Sequence, residues 1–137
     1  MSFIAAAFWL MTAVGGLYML SRTITGSRNA AGETVSDLPV LPSFLHPTFA
    51  VVGLALLGAY AFTLEPWFAW LALADLLLVA ASGGLLFGKW MKGRRASSGG
   101  LVRRFPAEQT IPVEVVVVHG VLAAATILLF LVVALRA

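Results

Sequence analysis

The chain contains no cysteine, which excludes disulfides, thiolate metal sites and a cysteine nucleophile and leaves the redox compartment unread by that route. Charge is scarce too: 11% of the 137 residues are Asp, Glu, Lys or Arg, against 61% hydrophobic. Histidine occurs only twice, as His46 and His119. No stretch resembles a phosphate-binding loop, a serine or cysteine triad, a paired-carboxylate hydrolase site or a zinc-protease helix. The mean hydropathy of +0.98 lies well outside the range of soluble domains.

What the sequence has in abundance is long apolar runs. A helix of about 18 or more apolar residues crosses a hydrocarbon core roughly 30 Å thick, and four such runs are present, at about residues 3–20, 43–63, 67–88 and 112–135. The second begins somewhere between Leu38 and Phe44. The first lacks a basic n-region and is longer than a usual signal h-region, so it is expected to be a retained helix. The expected fold is an all-α integral membrane domain, a four-transmembrane-helix bundle running up-down-up-down, with no room in these residues for a soluble catalytic or redox domain.

The polar connections set the expected orientation. The third, "GKWMKGRRASSGGLVRRFPAEQTIP", carries Lys89, Lys92, Arg94, Arg95, Arg103 and Arg104. By the positive-inside rule it faces the cytoplasm, together with the first connection and its Arg22 and Arg28. Both termini and the short "TLEPW" turn are then outside, as expected of a protein of a bacterial inner (plasma) membrane. Pro66 is placed to start the third helix, and spans two and three form a tight hairpin. The pI of about 10.0 is explained by this orientation, so nucleic acid is not an expected partner. Gly15, Gly16, Gly53, Gly58, Gly83, Gly84 and Gly120 suit close helix packing. Trp9, Tyr18, Trp67, Trp70 and Trp90 read mostly as belt or lipid-facing residues.

The two histidines carry the functional reading. His46 lies eight residues after Leu38 and His119 eight after Ile111, which puts each on the order of 12 Å along its helix. Spans two and four are diagonal in an up-down bundle, so two inward imidazoles at one level would face each other. That geometry suits one haem held by both axial ligands. Pro39 and Pro42 make helix before Ser43 uncertain, and with Ser43 as the N-cap the depths match less evenly. Gly53, with Ala50 and Leu57 at helical spacing from His46, and Gly120, with Ala123 and Thr126 near His119, would give a macrocycle clearance. Arg22, Lys89 and Lys92 are candidate partners for its propionates. A packing role, in which each histidine hydrogen-bonds a neighbouring helix, remains open beside this, as does a proton relay or quinone site. Two histidines are too few for a typical zinc site, and Glu114, about 140° from His119 around the helix, is a poor third ligand.

Through "LHPTFAVVG" and "VVHGVLAAAT", and through four spans covering nearly the whole chain, the sequence resembles the small membrane-bound b-type cytochromes, whose four-helix bundle holds haem b between histidines on alternate spans. The resemblance implies an electron-transfer protein. It departs from diheme relatives, which need four histidines, so one haem b is implied, with electrons coming from a quinol or a partner subunit.

Asp75 is the most costly residue in the spans, about 2.5–3.5 kcal/mol if charged at mid-helix. It reads either as a neutral or hydrogen-bonded lock between helices or as a proton and quinone site shared with Tyr60, Thr63 or Thr12. Glu114 is expected to pair with Arg103 or Arg104 near the boundary. Two further functions compete with electron transfer. One is a cofactor-free accessory or assembly subunit of a larger respiratory or photosynthetic complex, beside other membrane subunits; the other is a small carrier using Asp75, disfavoured by the lack of inverted repeats.

Overall fold

The computed structural model describes residues 2–25, 36–97 and 106–137. They form four α-helices, α1 (Ser2–Thr25), α2 (Val40–Thr63), α3 (Pro66–Ser97) and α4 (Val113–Leu135), with a one-turn 3-10 helix at Ala107–Thr110 ahead of α4. Each α-helix is long and apolar enough to cross a bilayer, as the apolar runs predict. Arg28, Arg103 and Arg104, invoked for orientation and as partners of Glu114, lie outside the described residues.

Two boundaries differ from the sequence expectation. Helix α2 starts at Val40, with extended Pro39 as its N-cap. Pro42 therefore falls in the first turn, where a missing N–H costs nothing because that position has no intrahelical acceptor. Ser43 is not the cap: its N–H and its hydroxyl both donate to the Pro39 carbonyl, at 3.2 and 2.8 Å, and hold the first turn together. Helix α3 continues past Gly88 to Ser97, so Lys89, Lys92, Arg94 and Arg95 are helical and not in a loop. The α2–α3 turn is as tight as expected. Leu64 takes the left-handed conformation (φ 59°) and donates to the Tyr60 carbonyl at 2.8 Å, ending α2, and Pro66 opens α3.

The helices form a ring in chain order. Helix α2 packs most extensively on α3 and α1 on α4; the α3–α4 and α1–α2 seams are slighter, and across the diagonals, among the described residues, the backbones of α1 and α3 and of α2 and α4 do not come close. Cross-helix partners fix the directions: Thr12 meets Thr126 while Arg22 meets Thr110, and Gly53 lies against Asp75 while Gly83 lies against His46. Both pairs are antiparallel, giving the up-down-up-down bundle.

The core is divided along the bundle axis. At the end holding Ser2, the α2–α3 turn and Leu135, a buried cluster joins Ala5, Trp9, Leu57, Leu73, Leu76, Val79, Phe130 and Val133. Trp9 and Phe130 touch with ring centres 5.1 Å apart, so Trp9 is a core residue and not a lipid-facing one. At the opposite, basic end, the 3-10 turn folds in as a plug. Trp90 is buried there, with its indole N–H donating to the Glu108 carbonyl at 3.0 Å and the Arg94 guanidinium 5.1 Å above its ring. Trp90 is thus part of the plug and not of an aromatic belt, whereas Trp67 and Trp70 are exposed at a helix end, as expected.

Gly53 is the tightest joint in the packed end. A Cβ there would meet the Asp75 carboxyl at 2.5 Å and the Trp9 ring at 2.8 Å, whereas at Gly58 it would meet nothing within 4 Å. Gly53→Ala is expected to destabilise the protein by about 1–3 kcal/mol through overpacking, and Gly58→Ala to be near neutral. Thermal unfolding of both variants in one detergent checks this, and equal midpoints would contradict the packing described.

Candidate functional site

Between the packed end and the plug lies a section in which no residue is buried. This holds for residues 10–25 of α1, 40–52 of α2, 80–89 of α3 and 113–125 of α4. Ten to sixteen residues of helix extend about 15–24 Å, so the bundle is closed at both ends and loosely filled between them. Both histidines sit in this section.

His46 and His119 face each other across the α2–α4 diagonal, with ring centres 6.3 Å apart and planes inclined by 58°. The equal-depth reading of the sequence is therefore met, and it is met because α2 begins at Val40. Each imidazole is anchored sideways to the neighbouring helix. His46 Nδ1 lies 2.9 Å from the Val79 carbonyl on α3, with the Ser82 hydroxyl at 3.3 Å. His119 Nδ1 lies 3.0 Å from the Thr12 carbonyl on α1. A carbonyl oxygen can only accept, so Nδ1 carries the proton in both rings and Nε2 keeps its lone pair. Nε2 has no hydrogen-bond partner among the described residues in either ring.

Glycines make these anchors possible. A Cβ at Gly83 would lie 2.9 Å from His46 Cε1, and a Cβ at Gly16 would lie 3.3 Å from His119 Cε1. Gly15 is nearly as close, 3.5 Å from His119 Nδ1. The glycines that serve the histidines are thus on α1 and α3, not on the histidines' own helices. Gly53, expected to give clearance beside His46, instead packs on Asp75 and Trp9, and Gly120 faces open space.

The expected cations are at the basic end. Arg22, Lys89 and Lys92 are all exposed, and the Arg22 guanidinium reaches the Thr110 carbonyl at 3.5 Å. Asp75 stands on the other side of the histidines. It is 8% exposed, and its Oδ2 is buried with no hydrogen-bond partner. Tyr60, Thr63 and Thr12 are not gathered around that oxygen. Tyr60 packs on the apolar cluster two turns beyond Gly53, Thr63 donates to its own helix at Ala59, and Thr12 is bonded to Phe8, Thr126 and His119.

Glu108 was not singled out by the sequence. Its side chain is 2% exposed, and its Oε1 accepts the Asp37 backbone N–H at 3.0 Å, which ties the start of α2 to the plug. It followed a polar, Gly-rich stretch, and nothing in its spacing marked it as buried. The Thr12 and Val79 carbonyls were equally unreadable, because backbone acceptors carry no side-chain signal.

No group of three or more His, Cys, Asp or Glu that could hold a metal lies together among the described residues. Two imidazoles with unprotonated Nε2 atoms and ring centres 6.3 Å apart are too few ligands for a typical zinc site and are the donor type that haem iron would take. Comparisons with known proteins found no matching family model, no matching curated protein and no matching solved structure. The fold and site thus define a four-helix membrane bundle with a paired-histidine centre.

In the protein free of ligand, 15N-histidine spectra are expected to show both rings as the Nδ1–H tautomer. Gly83→Ala should shift the His46 signals alone and Gly16→Ala the His119 signals alone. Nε2–H tautomers in both rings would contradict the anchoring described.

Proposed function

We propose that the protein is a membrane electron-transfer protein that binds one haem b between His46 and His119. The observation that carries this reading is the pair of facing imidazoles, anchored through Nδ1 and bare at Nε2, in the one section of the bundle without buried residues. A carbonyl accepting from the other ring nitrogen is what metal-ligating histidines use to fix tautomer and ring orientation. Haem with two neutral imidazole ligands supplies one-electron chemistry and leaves no open position for oxygen.

The chain's own residues have defined tasks in this reading. His46 and His119 ligate, the Val79 and Thr12 carbonyls hold their tautomers, and Gly15, Gly16 and Gly83 admit the rings. Arg22, Lys89 and Lys92, exposed at the basic end, are the cations available to propionates. The basic end is assigned to the cytoplasmic face of a bacterial plasma membrane by its Lys and Arg. Electrons would pass between the quinone pool and a partner subunit.

The rival reading is a cofactor-free accessory subunit in which the histidines join helices. The Nδ1 bonds taken alone would serve that role. They give no reason for two rings to face each other with free Nε2 atoms, nor for the loosely filled section around them.

A reduced-minus-oxidised visible spectrum of detergent-purified protein, with a pyridine haemochrome assay, tests the proposal. One haem b per chain and a sharp alpha band are expected. His46→Ala or His119→Ala should cut haem retention to about a tenth or less, while Leu128→Ala, on an exposed part of α4, should leave it intact. A colourless but folded wild-type protein, after expression with sufficient haem, would overturn the reading.

A further inference from the structure

The two imidazole anchors occupy corresponding positions on their helices and are built differently. His119 Nδ1 donates to the Thr12 carbonyl at 3.0 Å and His46 Nδ1 to the Val79 carbonyl at 2.9 Å. Counted on from each acceptor, the fourth residue is a glycine on both helices, Gly16 on α1 and Gly83 on α3. The third is Gly15 on α1 but Ser82 on α3. Ser82 is the polar side chain by which the two anchors differ.

A serine within a helix turns its hydroxyl back to a carbonyl three or four residues earlier, and Ser82 donates in this way to the Val79 oxygen at 2.9 Å. Its Oγ also lies 3.3 Å from His46 Nδ1. Nδ1 already carries a proton, so the hydroxyl hydrogen serves the carbonyl and not the ring. In an α-helix the same carbonyl accepts the N–H four residues on, here that of Gly83. The Val79 oxygen thus faces three donors with two lone pairs to offer. The Thr12 oxygen faces only the Gly16 N–H and His119, because Gly15 has no side chain and the Thr12 hydroxyl is turned to the Phe8 carbonyl at 2.8 Å. Donors that share an acceptor each bond to it more weakly. The Ser82 Oγ returns little to the ring, since 3.3 Å is beyond the usual N–H···O distance. A ring whose Nδ1–H meets a strong acceptor gives more electron density through Nε2.

We propose that Ser82 is a positioning residue that weakens the hydrogen bond anchoring His46 and so makes the two imidazoles unequal donors at Nε2, with His119 the stronger. The consequence for electron transfer rests on the haem reading: a weaker axial donor stabilises oxidised iron less, so the Ser82 hydroxyl holds the potential higher than two undivided anchors would.

Spectra of 15N-histidine protein, free of ligand and in lipid nanodiscs, read each anchor directly, because an N–H proton moves downfield as its hydrogen bond strengthens. In the wild type the Nδ1–H proton of His46 is expected upfield of that of His119. Ser82→Ala should move the His46 signal alone downfield, towards that of His119. Ser82→Thr, whose hydroxyl can reach the same carbonyl, should keep the wild-type position. Gly15→Ser, where a Cβ would stand 3.5 Å from His119 Nδ1, should move the His119 signal alone upfield. Ser21→Ala, which removes a similar bond to the Tyr18 carbonyl on an exposed part of α1, should move neither. A His46 signal that stays in place or moves upfield in Ser82→Ala would overturn the proposal, as would an equal shift of both rings, the mark of general loosening. In haem-loaded protein, redox titration of the alpha band should give a lower midpoint potential for Ser82→Ala and the wild-type value for Ser82→Thr; a potential indifferent to Ser82→Ala would also overturn it. Because the anchors are compared without ligand, a protein that takes up no haem refutes only the haem reading.

Discussion

The structure depends on the bond from each imidazole Nδ1–H to a carbonyl of the adjacent helix. Within hydrocarbon no water is available to satisfy a polar side chain, so a histidine facing the bundle must find its partner in protein. The acceptors used, Thr12 and Val79, sit inside regular helix, where a carbonyl still has a second lone pair. Reaching it brings the edge of the ring against the neighbouring backbone, where a Cβ at Gly83 would crowd His46 Cε1 and one at Gly16 would crowd His119 Cε1. Gly16 on α1 and Gly83 on α3 therefore help set how α1 meets α4 and α3 meets α2. The two most extensive seams of the bundle are the two that these bonds cross.

The seam bonds also fix the rotation of α2 and α4. With His46 turned towards α3 and His119 towards α1, the rings approach from opposite corners and meet near the axis. The same rotation aims Gly53 at Asp75 and Trp9, two turns nearer the termini, where the pairs are pulled together by Trp9, Phe130 and the apolar cluster around them. Asp75 contributes here as a packed surface, its carboxyl tight against a glycine. The plug at the other end does a comparable job by different means, with the Trp90 indole and the Glu108 carboxyl each bonding a backbone group.

Much of this was legible in the sequence, and the illegible part has a common cause. Four spans, the tight turn at Pro66, the shared depth of His46 and His119 and their diagonal relation all follow from run lengths and the helix rise, which are properties of one helix at a time. What a glycine faces depends on two helices at once. Gly53 could be placed at helical spacing from His46, yet it serves Asp75, while Gly83 looked like generic small-residue packing and carries the imidazole. Trp9 was misplaced for a similar reason: its position along the helix was readable and its direction was not. Ser43 looked like a cap because Pro42 looked like a breaker, but a proline in the first turn breaks nothing.

The loosely filled section between the two closed ends is the feature that bears most on function, and bilayer physics explains why it can exist. In water, apolar helices close on one another because burial removes surface from solvent. In lipid that drive is absent, and helices associate only where packing or polar bonds reward them. The histidine section has such rewards at its seams and none across its diagonals. The seam bonds and the two closed ends therefore hold the four helices around the histidines without close backbone approach across either diagonal.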